Sequence, residues 1–341
     1  MSPRKPAQPA QPTAFRQPFD RRSFLAGAAA SGAGLSLGIT PARADIRPKT
    51  GPALSGPAIS GPVISGPAIL RAIPGTVERI PVIGMGTWIT FNVGGSRRLR
   101  DGRAEVLRTF FDRGGTVIDS SPMYGSAEDV IGYCLDKIGK RESLFGATKV
   151  WTPLIADGED QMAESRTLWG VKKFDLMQVH NLVNWEGHLE TLANDKAAGH
   201  VRHIGITSSH GSRHSQMARV MADPRVDAVQ LTYNIVDRSA EQRLLPLAAE
   251  RGLAVVINRP FRRGELFRRF AGHPLPEWAT EIECTNWAQF FLKFVISHPA
   301  VTCAIPATSE VSHMNENMGA MYGALPDTAM RARMIRYTES L

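Results

Sequence analysis

Cysteine is scarce in this chain of 341 residues, which holds only Cys134, Cys284 and Cys303. An odd count with no metal-type spacing excludes a disulfide framework and a cysteine zinc site. Histidine motifs for metal hydrolysis are also missing. There is no H-x-H or H-E-x-x-H, and the pair His210 and His214 falls beyond a strand with no carboxylate nearby, so no metal is expected. No G-x-G-x-x-G follows the first apolar run. "GMGTW" lacks the third glycine and the helix, which weakens an open doubly wound dinucleotide fold. Acidic residues are the minority, giving a formal net charge of +8. That excess is local: Arg4, Lys5, Arg16, Arg21, Arg22 and Arg43 face only Asp20 within residues 1–44, leaving +3 for the remainder. No basic stripe with interleaved aromatics occurs, which argues against nucleic acid as the main partner.

The basic leader has three parts in order. A polar region runs to Arg22, a weakly apolar Ala/Gly-rich region runs from Phe24 to Ile39, and Ala42-Arg43-Ala44 forms an A-x-A cleavage pattern. The apolar part is too short and too rich in glycine to span a bilayer as a stable helix. "DRRSFL" resembles a bacterial twin-arginine export signal, with Asp20 in place of the usual hydroxyl residue and Ala26 in place of lysine. The resemblance implies cleavage after Ala44, the twin-arginine translocation machinery as a partner, and a periplasmic or exported protein with no stable membrane span after cleavage.

Residues 45–72 read as a linker. Within it, GPALS-GPAIS-GPVIS-GPAIL repeats every five residues, and proline at that interval forbids a continuous helix. Beyond it, short apolar runs alternate with amphipathic stretches. The runs are Ile80–Gly86, Thr116–Asp119, Leu144–Val150, Phe174–Val179, His203–Thr207, Ala228–Leu231, Leu253–Ile257 and Val301–Ile305. Between and after them, helical spacing covers Arg103–Arg113, Ala127–Ile138, Asp160–Trp169, Trp185–Ala198, Ser212–Met221, Ala240–Glu250, Trp287–Ser297 and Ser309–Met321. Strands apolar on both faces and separated by helices indicate a parallel sheet. Eight such units predict an α/β fold, a closed (β/α)8 barrel over residues 73–341.

Chemistry in such barrels lies at the carboxyl ends of the strands. Asp119 ends the second run and Tyr124 follows it, Lys149 ends the third, and His180 and Asn181 end the fourth. Taken singly, these residues serve as turn caps, rim packing or a solvated strand end. Together they suggest a site, because Lys149 lies in an apolar run and a buried ammonium needs a carboxylate partner. Asp119 on the neighbouring strand is the natural one. A tyrosine with an ordinary pKa near ~10 is a poor acid at neutral pH, and a nearby ammonium is expected to lower that pKa. His180 can then hydrogen-bond a carbonyl oxygen and Tyr124 can protonate it. No side chain supplies a hydride, so a nicotinamide must.

From Ile80 to Met321 the chain resembles an aldo-keto reductase. The motifs that carry the likeness are "GMGTW", "VIDSSPMYGSAE", "KVW", "FDLMQVHN", "HIGITS", "VQLTYN" and "IPATSEVSHMNEN", in the family's order. The resemblance implies a barrel binding NADP(H) or NAD(H) in extended form and a small aldehyde or ketone as substrate. It implies Tyr124 as acid–base residue, tuned by Asp119 and Lys149, with His180 orienting the carbonyl. Gly86, Thr87 and Asp119 would border the nicotinamide, with Gln230 on its carboxamide. Pro306, Ala307, Thr308, His313, Glu316 and Asn317 would lie along the adenine end. Trp88, Trp151 and Asn181 would line the substrate mouth. Three departures stand out. Thr207-Ser208 replaces the usual Ser-Asn pair, Asn258-Arg259 stands where an aromatic residue stacks on the ring, and no Lys or Arg lies between Ala307 and His313. Preference between NADP and NAD therefore stays open, with Arg262 and Arg263 read equally as phosphate contacts from another loop or as solvated side chains. Two other readings use the same barrel: a Schiff-base aldolase with Lys149 as nucleophile, and a non-catalytic exported binding protein.

Overall fold

The computed structural model describes residues 66–209 and 211–341. The leader and most of the linker lie outside the described residues. Leu70–Ala72, at the end of the expected linker, form a strand (β1) that pairs antiparallel with Arg79–Pro81 (β2). The run Ile80–Gly86 is thus not one strand. Pro81 has no N–H to continue a ladder, and the chain bends after it, so only Met85–Gly86 (β3) enter the main sheet. Gly84 permits that entry, since a Cβ there would lie 2.8 Å from the Val117 carbonyl oxygen.

Seven further strands follow β3, every neighbour parallel. They are β4 (Val117–Asp119), β5 (Phe145–Val150), β6 (Phe174–His180) and β7 (Val201–Thr207). Then come β8 (Ala228–Thr232), β9 (Ala254–Asn258) and β10 (Cys303–Ala304). Spatial order follows sequence order, and a parallel bridge between Ile83 and Ala304 joins the two edges. Gly84 N donates to the Ala304 carbonyl at 2.8 Å, and Ala304 N to Val82 at 2.9 Å. The sheet is therefore a closed (β/α)8 barrel.

Helices α1 (Arg97–Asp112), α2 (Ala127–Ile138), α3 (Ile155–Trp169), α4 (Trp185–Ala197), α5 (His214–Val220) and α6 (Leu244–Arg251) alternate with the strands. Two helices, α7 (Glu265–Phe270) and α8 (Trp287–Ile296), follow β9. Two more, α9 (Val311–Gly319) and α10 (Thr328–Glu339), follow β10. On α1, Val106, Leu107, Phe110 and Phe111 recur at helical spacing and are buried. Each is worth roughly 1.5–3 kcal/mol of burial. α7 and α10 have no counterpart in the sequence pattern. α10 buries only Met334 and Thr338, too few to show a period, and is set by its Asp327 cap on Met330 N. No described helix is long and apolar enough to cross a membrane.

The barrel interior is layered. Val117, Phe145, Ala147, Leu176, Ala228, Ala254, Val256, Cys303 and Ile305 pack into one apolar cluster with Ile73 and Ile80 of the hairpin. The hairpin thus plugs the amino-terminal end. Arg71 fastens it, donating to the carbonyls of Ile296 at 2.6 Å and His298 at 2.8 Å. With that end closed, the opposite mouth is where polar side chains gather.

Candidate active site

Side chains alternate along a strand, so the residues two positions beyond the apolar layer also face inward. These are Asp119 after Val117, Lys149 after Ala147, Gln178 after Leu176, Gln230 after Ala228 and Asn258 after Val256. Five inward-facing polar residues, from β4, β5, β6, β8 and β9, are thus fixed by strand period alone. Lys149 is fully buried, and its Nζ donates to Asp119 Oδ2 at 2.6 Å and to the Ser120 carbonyl at 2.6 Å. Asp119 Oδ1 accepts from Gln178 Nε2 at 3.0 Å and Gln230 Nε2 at 2.8 Å. Thr87 Oγ1 donates to the Asp119 carbonyl at 2.9 Å. The carboxylate is therefore held by an ammonium and two amides, which gives the buried charge the partners it requires.

Tyr124 lies half-buried at the end of a helical turn, Pro122–Tyr124, that Ser121 caps. Lys149 Nζ is 5.3 Å from its ring centroid, and the ring meets His180 edge-on at 5.8 Å. The pKa of Tyr124 does not fall as expected. Burial raises it, and this outweighs the opposing pull of the Lys149 charge. Tyr124 is thus a protonated phenol at neutral pH, beside a cation that favours the phenolate it would leave behind. Burial lowers the pKa of Lys149, but Asp119 and Tyr124 outweigh it and the net direction is up. A firmly protonated, fully enclosed amine is a poor Schiff-base nucleophile, which counts against the aldolase reading.

Burial, then the Lys149 charge, pushes the His180 pKa down to about 2, so its ring is neutral. Ser121 is the hydrogen-bond partner of the ring. Its Oγ accepts from Met123 N at 3.2 Å and lies 2.9 Å from His180 Nδ1. With the hydroxyl donating to Nδ1, the neutral ring carries its hydrogen on Nε2, which can then donate into the mouth. Ser121 and Gln178 are residues that sequence reasoning missed. The strand period two positions from Asp119 and His180 was the available signal.

The mouth also offers groups for a nucleotide. Thr207 Oγ1 donates to Gln230 Oε1 at 3.1 Å, and Asn258 Nδ2 reaches that same oxygen and the Ser208 carbonyl, each at 3.4 Å. Gln230 is therefore turned into the barrel, between Asp119 and Thr207. Asn258 Oδ1 accepts from Thr232 at 2.7 Å. Position 258 thus presents a hydrogen-bonded amide, with no aromatic face to stack on. Asn181 Oδ1, Gln178 Oε1 and Ser120 Oγ are buried without a hydrogen-bond partner. Such orphaned atoms call for a polar ligand or water, and the two amide oxygens, being acceptors, suit the N–H donors of a carboxamide.

Gly86 N donates to the Pro306 carbonyl at 3.0 Å, which joins the first and last strand ends. Beyond Pro306, Ala307 is exposed and Thr308 buried, with Thr308 Oγ1 accepting from Glu310 N at 3.1 Å. On α9, His313 is exposed, Glu316 half-buried and Asn317 buried. Arg103 of α1 reaches this loop and donates to the Ser309 carbonyl at 3.1 Å, a cation that sequence spacing did not place there. Trp88 is half-buried under Arg263, and Trp151 is exposed on the rim. Among the described residues no group of three or more His, Cys, Asp or Glu could hold a metal ion.

Residues 82–333 match the Aldo/keto reductase family. Aldo-keto reductase YhdN of Bacillus subtilis (strain 168) is 27% identical over 203 residues, covering 54% of this chain and 59% of that protein. The chain thus spans about three fifths of the length of that relative. Pyridoxine 4-dehydrogenase of Escherichia coli (strain K12) is 29% identical over 252 residues, covering 67% of this chain and 84% of that protein. Among solved structures, an aldo/keto reductase from Klebsiella pneumoniae in complex with NADP and acetate superposes with a TM-score of 0.66 at 23% identity. It covers 76% of this chain and 92% of that one.

Proposed function

This chain belongs to the aldo/keto reductase family, a family of NAD(P)-dependent oxidoreductases, and on that premise we propose that it reduces a small aldehyde or ketone with Tyr124 as general acid. The observation that carries the reading is the contact set Asp119–Lys149–Tyr124–His180 at one mouth of a barrel plugged at the other. A bound nicotinamide supplies the hydride to the carbonyl carbon. His180 donates from Nε2 to the carbonyl oxygen and fixes its position. Tyr124 passes its hydroxyl proton to that oxygen as negative charge develops there. Lys149 stabilises the phenolate left behind, and Asp119 keeps Lys149 in place. The product is the alcohol, one hydride and one proton richer than the carbonyl compound.

NADP(H) or NAD(H) would lie along Gly86, Thr87, Thr207, Ser208 and Gln230, with its adenine end towards Pro306–Thr308 and His313–Asn317. The test is incubation with nucleotide deuterated at the reactive ring carbon and a panel of neutral aldehydes. Deuterium on the carbinol carbon supports the reading, and its absence from every product removes it. A protein that binds nucleotide but transfers nothing would leave the binding-protein reading standing.

Export by the twin-arginine route is part of the same proposal. It rests on the leader sequence, Arg21-Arg22 followed by an uncharged stretch and Ala42-Arg43-Ala44. Replacing Arg21 and Arg22 by lysine should hold the protein in the cytoplasm. Periplasmic recovery at the parental level would remove that route.

A further inference from the structure

The loop that leaves β9 is rich in cations held on strained backbone. Arg259, Arg262 and Arg263 have φ of 50°, 47° and 59°. That left-handed conformation is uncommon for residues with side chains, and it persists only where surrounding structure holds it. Its effect is to aim two guanidiniums at the mouth. Arg259 Nη2 donates to Ser209 Oγ at 3.0 Å, just past the end of β7. The Arg263 guanidinium carbon lies 4.3 Å from the centroid of the Trp88 ring, just past β3. The loop therefore reaches from the end of β7 to the segment just past β3. Arg262 faces the other way, to Glu265 at 3.4 Å.

Neither Arg259 nor Arg263 has an ion-pair partner among the described residues, whereas Arg262 does. Arg259, half-buried, and Arg263, exposed on the Trp88 ring, stand at the rim of a site outside any ion pair and can together receive an oxyanion. Burial, then the charge of Arg263, lowers the Arg259 pKa, and Tyr124 and Asp237 only partly oppose this. Arg259 also lies close enough to Tyr124 for each to feel the other's charge. Its backbone neighbour Asn258 belongs to the amide cluster around Gln230. The loop that carries the cation thus leaves the barrel beside the Gln230 amide, on the same mouth as Tyr124.

We propose that Arg259, backed by Arg263, binds a carboxylate carried by the substrate, so that this protein's substrates are oxo acids: aldehydes or ketones with a carboxylate beside the carbonyl. The inference rests on the reading of the mouth as a carbonyl-reduction site. Trp88, held under Arg263, supplies an apolar wall on which the rest of such a molecule can pack. A phosphate of the nucleotide offers the same oxyanion chemistry, so the experiment must separate the two sources.

The probe is a matched pair, phenylglyoxylate and its methyl ester, which share a ketone and differ in charge. kcat/KM is measured for both with the full chain and saturating reduced nucleotide, and nucleotide Kd is measured in parallel. The parent should prefer the acid. Loss of a charge-assisted pair is expected to lower the acid-to-ester ratio about 10- to 100-fold in Arg259→Gln, and less in Arg259→Lys, which keeps the charge. A ratio that moves less than about threefold in Arg259→Gln overturns the proposal. So does a rise in nucleotide Kd with the ratio unchanged, which would assign the cation to the nucleotide phosphate. If the parent reduces neither compound, calorimetric titration of the nucleotide-loaded protein decides. Binding of the acid over the ester, lost in Arg259→Gln, upholds the carboxylate site while the reductase reading fails. Equal or absent binding overturns the carboxylate site as well.

Discussion

Replacing Lys149 by Met should destabilise the barrel as well as stop the chemistry. Lys149 and Asp119 form an enclosed ion pair, with side-chain exposures of 0% and 4% and a separation of 2.6 Å. Removing one partner of such a pair costs about 3–5 kcal/mol, because the other charge is left buried. Here the cost should fall at the lower end. Asp119 Oδ1 keeps its two amide donors from Gln178 and Gln230, and only Oδ2 loses its partner. A loss of about 3 kcal/mol shifts the thermal midpoint of a domain this size by roughly 6–12 °C. Far-UV circular dichroism on heating provides the assay, with a double-mutant cycle as control. If the orphaned carboxylate is the cause, adding Asp119→Asn to Lys149→Met should recover much of the loss. A Lys149→Met midpoint within about 2 °C of the parent would refute the buried pair, and equal midpoints for the single and double variants would refute the mechanism.

Two other perturbations address His180. Ser121→Ala removes the hydroxyl that hydrogen-bonds His180 Nδ1, so turnover should fall about tenfold, the worth of one neutral hydrogen bond. Imidazole nitrogen NMR should then show both tautomers, Ser121→Thr should restore one, and a single unchanged tautomer in Ser121→Ala would contradict the assignment. The His180 pKa, pushed down to about 2 from an ordinary value near 6.5, also links to stability. Between those two values the unfolded chain binds a proton that the folded protein refuses, so stability is full above pH ~6.5 and declines as pH falls towards 2. His180 alone should contribute a slope of about 1 kcal/mol per pH unit between pH 6 and 4. His180→Gln should flatten the curve by that amount, and identical slopes would mean that the ring is not buried neutral.

The barrel was legible because its strands are short apolar runs separated by helical spacing, and seven of the eight expected runs became barrel strands close to the expected limits. The first run split, since an apolar stretch does not show which residues pair, and Pro81 with Gly84 decided it. α10 was invisible because it buries so little. At the mouth, Asp119, Lys149 and His180 stood out as polar residues ending apolar strands. Ser121 and Gln178 did not, because a serine in a turn or a glutamine in a strand has many uses until its partner is known. The Tyr124 pKa was expected in the wrong direction. Sequence shows the neighbouring ammonium but not the extent of burial, and burial is the larger influence.

On the proposed mechanism, Tyr124 delivers the proton in a nicotinamide-dependent reduction. The most direct measurement is single-turnover carbonyl reduction by Tyr124→Phe, with nucleotide affinity determined on the same preparation. Phenylalanine keeps the ring against His180 and Lys149 and removes only the hydroxyl. A general acid contributes about 10²- to 10⁴-fold, so the rate should fall by that range while nucleotide Kd stays within about threefold of the parent. A rate within about fivefold of the parent would take Tyr124 out of the mechanism and leave the proton donor at this mouth to another group.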